Sequence, residues 1–170
     1  MIPKTYIQRN INVLSAKYNT SRKPLHFLLY SKLTIIETAG WVEMSMDDLV
    51  LRCGKKLKNT KNMTYLQETI VDKTWGFAYK SNFRPMLTRT VGLVAVEKVE
   101  EKVDGAKFAK MIAAIGNLKV ARDDVAHTYV KKIITSAPIP APAVTNSYFQ
   151  DIYDGLKDFE TVMKSLKIIC

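Results

Sequence analysis

Apolar residues recur along most of this chain at intervals of three and four, the spacing that brings side chains onto one face of an α-helix. Tyr6, Ile7, Ile11 and Leu14 set the pattern and predict an amphipathic first helix. Pro24 suits the first turn of a second helix. Phe27, Leu28, Leu33, Ile36 and Trp41 supply its apolar positions, which resume beyond Gly40 at Met44, Leu49 and Val50. Ser45 and Asp48 have the spacing of a capping box that would start a new helix. The unbroken apolar pattern instead favours one long helix over about 24–57, with Gly40 allowing a close helix contact.

A polar stretch at 58–62 ends that helix, and short helices fit 64–73 and 82–91. Asp104 is placed to cap a further helix running to about 117, with Phe108, Met111, Ile112 and Ile115 as its apolar positions. Another helix is expected over about 118–134. Pro138, Pro140 and Pro142 exclude a helix over 136–142, because each removes a backbone donor and fixes φ. Asn146 or Ser147 begins a last helix whose stripe is Phe149, Ile152, Leu156, Phe159, Val162 and Met163. No alternating run predicts a strand. The expected fold is all-α, a single helical-bundle domain over 1–170.

Composition narrows the class. The 170 residues suit one domain, and 47% apolar with 25% charged residues is ordinary globular usage rather than disorder. No apolar run reaches the ~18 residues of a membrane helix. The first residues lack a signal-peptide core, so a cytoplasmic protein is expected. Cys53 and Cys170 form neither a disulfide framework nor a zinc set.

Charge adds a partner class. The formal net charge is +10, and residues 1–61 hold 11 Lys/Arg against 4 Asp/Glu. Arg52, Lys55, Lys56, Lys58 and Lys61 cluster near the end of the long predicted helix. Such a cluster fits a polyanion such as RNA. It fits equally a solvated helix end, where cations meet the C-terminal dipole.

The chain has no phosphate-binding glycine loop, paired-cysteine zinc pattern or Gly-x-Ser-x-Gly elbow. Cys53 reads as a buried structural thiol and His26 as an ordinary hydrogen-bonded histidine. The run Arg122-Asp123-Asp124-Val125-Ala126-His127-Thr128-Tyr129 is the most ionisable patch within an otherwise apolar helix. His127 stands about 160° from the Val125 side of that helix, away from the core stripe. Asp123, four residues earlier, shares its face and is placed to hydrogen-bond it. Arg122 lies about 140° around, so it meets His127 only by reach, a helix irregularity or a second subunit. A surface Asp–His pair is the plain alternative. A metal site from Asp123, Asp124 and His127 is disfavoured, because adjacent aspartates point about 100° apart.

Arg122, four intervening residues and His127 resemble the Arg-x(4–6)-His motif of HEPN domains, the higher-eukaryote and prokaryote nucleotide-binding helical family. Asp123 supplies the acidic or amide residue that typically follows the arginine. The segments Leu33-Thr34-Ile35-Ile36-Glu37-Thr38-Ala39-Gly40-Trp41-Val42-Glu43 and Ser81-Asn82-Phe83-Arg84-Pro85-Met86-Leu87 are similar to RNA-cleaving, defence-associated branches such as RiboL-PSP-HEPN.

The resemblance implies a metal-independent endoribonuclease, working as a homodimer whose two motifs line one composite cleft. A ribose 2′-OH would attack the adjacent phosphate, leaving a 2′,3′-cyclic phosphate and a 5′-OH. His127 would be the general acid/base, Arg122 the phosphate clamp and Asp123 a supporting group that orients either one. This chemistry needs no cofactor, since a near-neutral base and a fixed cation suffice. Lys55, Lys56, Lys58, Lys61, Arg52, Lys131 and Lys132 are the candidate RNA contacts. Tyr129 also matches the Arg-x(4)-His-x-Tyr form of HEPN toxins, in which the tyrosine can be adenylylated; a packing tyrosine is the plainer reading. Implied partners are RNA, a second copy and a cognate antitoxin or defence-system protein, with no membrane. The alternative is a non-catalytic HEPN-like module that binds nucleic acid, a nucleotide or a partner protein.

Overall fold

A computed structural model of the chain describes residues 1–126 and 139–169. Among them there is no strand, and seven α-helices carry the fold: α1 (Thr5–Thr20), α2 (Pro24–Cys53), α3 (Thr60–Tyr65), α4 (Arg84–Val91), α5 (Leu93–Lys102), α6 (Gly105–Ala126) and α7 (Pro142–Ser165). A 3-10 turn, Gly54–Lys56, ends α2. Two π-helical turns, Leu66–Val71 and Tyr79–Phe83, follow α3 and precede α4. The expected all-α bundle is the observed one.

Side-chain contacts fix the directions of the four long helices. Asn10 donates to Glu37 at 3.2 Å and the Trp41 indole N–H donates to the Pro3 carbonyl at 2.7 Å, so α1 and α2 run antiparallel. The Asp104 N–H donates to Asp158 at 2.7 Å while Met111 packs on Gly155, so α6 and α7 are antiparallel too. Arg52 reaches Glu160 and Trp41 meets Phe149 edge-on, which makes α2 and α7 parallel. Ile35, Leu49, Met111, Leu118, Ile152 and Phe159 fill the space between them.

Several expectations are corrected. Residues 105–126 form one helix with no break near 117, because buried Leu118 continues the stripe of Met111, Ala114 and Ile115. The last helix begins earlier than expected, with Pro142 in its first turn, where a missing N–H costs nothing. Helix α5 was not expected; it restarts after Gly92, whose φ of 85° stops α4, and buries Val96 and Val99. Gly40 makes no close helix contact, since a Cβ there would meet nothing within 4 Å. Gly155 does so instead: its Cβ would lie 2.5 Å from the Met111 Cβ, so any larger residue forces α6 and α7 apart.

The long helix also turns an unexpected face inward. Thr34, Thr38 and Ser45 are buried, and Thr34 and Thr38 donate their hydroxyls to carbonyls four residues back, each at 2.7 Å. Leu25, Leu29, Leu33, Ile36 and Met44 remain outside, 44–74% exposed.

One carboxylate organises the far end of the bundle. Glu160 of α7 is wholly buried, yet it pairs with Arg52 at 2.8 Å, Lys157 at 2.9 Å, the Met1 amino group at 3.0 Å and Lys164 at 3.2 Å. Burial alone pushes its pKa up. Hydrogen bonds from Lys157, the amino terminus, Arg52 and the Ile2 N–H outweigh that and hold it well below the usual carboxylate range. A depressed carboxylate stabilises the fold above its unfolded value and loses that contribution as pH falls through the folded one. Glu160→Ala leaves Arg52 buried without its main partner and is expected to cost about 3–5 kcal/mol in urea unfolding at pH 7. The difference from wild type should shrink as pH drops below the ordinary glutamate value of 4.5; a loss under about 1 kcal/mol would contradict the role given to Glu160.

Candidate functional site

Helix α6 is held against α7 through Gly155 and carries Arg122 and Asp123 toward its C-terminal part. The Arg122 guanidinium carbon lies 5.3 Å from the centroid of Phe77, a ring only 1% exposed, in cation–π range. Arg122 Nε is 2.9 Å from Asp123 Oδ1. That contact is an ion pair by distance, and the buried Nε has no hydrogen-bond partner among the described residues. The other Asp123 oxygen accepts from Lys119 Nζ at 2.7 Å. Asp124 is exposed. Arg122 is therefore a cation fixed from below by an aromatic face and from one side by a carboxylate, with its side chain 31% exposed. Its partners are Phe77 and Asp123, as sequence spacing alone could not have shown for Phe77. His127, Tyr129, Lys131 and Lys132 lie outside the described residues, as does Cys170.

Phe77 belongs to the connection between the two π-helical turns, and this loop is tied down closely. The Gly76 N–H donates to Glu43 of α2 at 2.6 Å, with φ of 97° at Gly76 that glycine adopts without strain. Asn82 grips both ends: its amide nitrogen donates to the Trp75 carbonyl at 2.8 Å, and its oxygen accepts from the Ala78 N–H at 3.1 Å. Thr74 donates its hydroxyl to Ile70 at 2.7 Å.

The basic cluster divides. Arg52 is not an RNA contact on an exposed surface: it is 6% exposed, bound to Glu160 and to Asp48 at 3.3 Å. Lys55, Lys56, Lys58 and Lys61 are exposed, and Lys56 donates to the Lys167 carbonyl just beyond α7. Arg122 faces the opposite end of α7, on the order of 30 Å away by helical rise. Within one chain these lysines do not flank Arg122. Cys53 is buried, donates to the Leu49 carbonyl, and has its pKa pushed up to about 11 by burial, as suits an inert thiol.

A second polar group was not anticipated. Tyr79 donates to Glu100 at 2.6 Å, and Arg84 holds both Glu100 oxygens, at 2.7 and 3.0 Å. The set edges an open apolar hollow of about 560 Å³ floored by Phe108 and Ile112. Burial, followed by the Glu100 contact, drives the Tyr79 pKa far up, and the Arg84 hydrogen bonds lower that of Glu100. The group is mutually satisfied and fastens α4 to α5. Arg84 and Glu100 lie 16 residues apart across a glycine break, so helical spacing gave no sign of the pair.

No metal-ligating group of three or more His, Cys, Asp or Glu side chains occurs among the described residues. No described helix is long and apolar enough to cross a membrane. No family model, curated protein or solved structure matches the chain.

Asp47 sits beside the anchored loop. Burial first, then the charges of Glu43 and Asp72, raise its pKa from 3.8 to about 6. A raised carboxylate favours the fold in its neutral form, so its contribution falls as pH rises from about 4 through 6. Asp47→Asn should be more stable than wild type above pH 6, by ~1 kcal/mol after solvent screening, with the two converging near pH 4. Thermal melts at both pH values check this; a variant less stable at pH 7 would contradict it.

Proposed function

We propose that the protein is a metal-independent endoribonuclease that cleaves RNA by 2′-OH attack, with Arg122 as the phosphate clamp. The observation that carries the reading is the setting of Arg122: a partly exposed guanidinium, immobilised on Phe77 and beside Asp123, at the Arg-x(4)-His spacing that ends in His127. A fixed cation stabilises the charge that develops on a pentacoordinate phosphate without reorganising during the reaction. His127 serves as the general acid/base near neutral pH. The net charge of +10 supports a polyanionic substrate.

The active form is a homodimer with a composite cleft. Two exposed surfaces support a second copy. One is the apolar face of α2, with Leu29, Leu33, Ile36 and Met44 around the open Gly40. The other is the α6 seam of Ala106, Ala109, Ala113, Gly116 and Val120, all exposed at alternating spacings of three and four on the helix that carries Arg122. The three alanines and the glycine permit close helix approach. A role as a toxin or antiviral effector, neutralised or triggered by a partner protein, follows from the likeness to HEPN nucleases.

The test is incubation of wild type, Arg122→Ala and His127→Ala with labelled RNA in EDTA. Wild type should cleave, and each variant should lose at least about 100-fold in rate while keeping its helical circular dichroism. Retained cleavage by His127→Ala removes that residue from the mechanism. Absence of cleavage by a dimeric wild type favours the binding-module alternative.

A further inference from the structure

Trp75 is 83% exposed, although an indole normally hides most of its surface. Its backbone is nevertheless tied down: the Asn82 bridge holds its carbonyl, Glu43 holds the next N–H, and a π-helical turn stands on either side. Phe77, two residues on, is the ring beneath Arg122. The indole thus lies no more than roughly 20 Å from that guanidinium, the reach of a few nucleotides. Lys73 and Lys80, two residues before and five after it in the chain, are exposed, as is Asp72. An exposed aromatic ring on a tethered backbone, within reach of a few nucleotides of a seated arginine, has the make-up of a single-strand binding platform, in which bases stack and lysines follow the phosphates.

We propose that Trp75 stacks on an unpaired nucleobase of the RNA strand held at Arg122, and so positions that strand for cleavage. This rests on the ribonuclease reading for the identity of the strand. Trp75 is a positioning residue, remote from the reacting phosphate. Stacking accepts any base face, so the contact favours unpaired over duplex RNA with little sequence preference.

Binding is measured with a short single-stranded RNA whose riboses are 2′-O-methylated, which removes the attacking hydroxyl. Fluorescence anisotropy of the labelled RNA gives affinity, and tryptophan emission reports stacking. The other tryptophan, Trp41, is packed against Phe149 and Tyr153, so a quench on RNA addition belongs to Trp75. Wild type should bind with quenching. Trp75→Ala should bind about 5- to 100-fold more weakly, Trp75→Phe should fall between, and the quench should vanish in both. With unmodified RNA, Trp75→Ala should raise KM and leave kcat nearly unchanged. Quenching and weakened binding without cleavage by wild type would uphold the platform and overturn the ribonuclease. Cleavage by wild type with unaltered affinity and KM in Trp75→Ala would overturn the platform alone. A Trp75→Ala variant that changes self-association but not RNA affinity would make Trp75 a protein contact and overturn the proposal.

Discussion

The buried carboxylate of Glu160 is the constraint on which the rest of the bundle is registered. A lone charge in that position is untenable, so four cations and a backbone N–H converge on it from α2, from α7 itself and from the start of the chain. Replacing such a network by apolar side chains often costs little stability, whereas removing one member costs much. Its contribution is therefore one of register. With Arg52 locked to Glu160, α2 cannot slide along α7 by a turn without stranding a buried charge. With Gly155 receiving Met111, α6 has a single close-packed position on α7. Together these two contacts set where Arg122 emerges.

The same network explains why the surface differs from the charge pattern of the chain. Counted along the sequence, Arg52 belongs with four lysines; in the fold its partner is 108 residues away, and only the lysines meet solvent. Helical periodicity fared better. It is a local property, and it gave the all-α class, the first helix and most of the long second one. It could not choose which face of α2 turns inward, because Leu33 and Ile36 satisfy the pattern as well as Ile35 and Val42 do. Buried threonines that satisfy their own hydroxyls through helix carbonyls carry no hydropathy signal at all. Gly40 and Gly155 likewise look alike in sequence, and only the neighbouring helix separates an open glycine from one that a methyl group would jam.

Of the candidate site, the spacing of Arg122, Asp123 and His127 was legible because it is a local property of the sequence. The support beneath Arg122 was not. Phe77 arrives from a loop pinned by Glu43 and Asn82, and that long-range meeting has no local signature. The loop turns Phe77 inward beneath the guanidinium and leaves Trp75, two residues earlier, in solvent. The chemistry proposed for this face asks for a fixed cation and a held strand, and the loop would serve both if the proposal holds.

In the proposed reaction a ribose 2′-OH is the nucleophile and no metal takes part. Its most direct test uses a defined RNA in which the single ribose on the 5′ side of the cleaved phosphate is replaced by deoxyribose, incubated with the protein in EDTA. Cleavage should be lost at that bond alone, and the parent RNA should yield a 2′,3′-cyclic phosphate and a 5′-OH. Continued cleavage at the substituted bond, or products ending in 5′-phosphate, would contradict it.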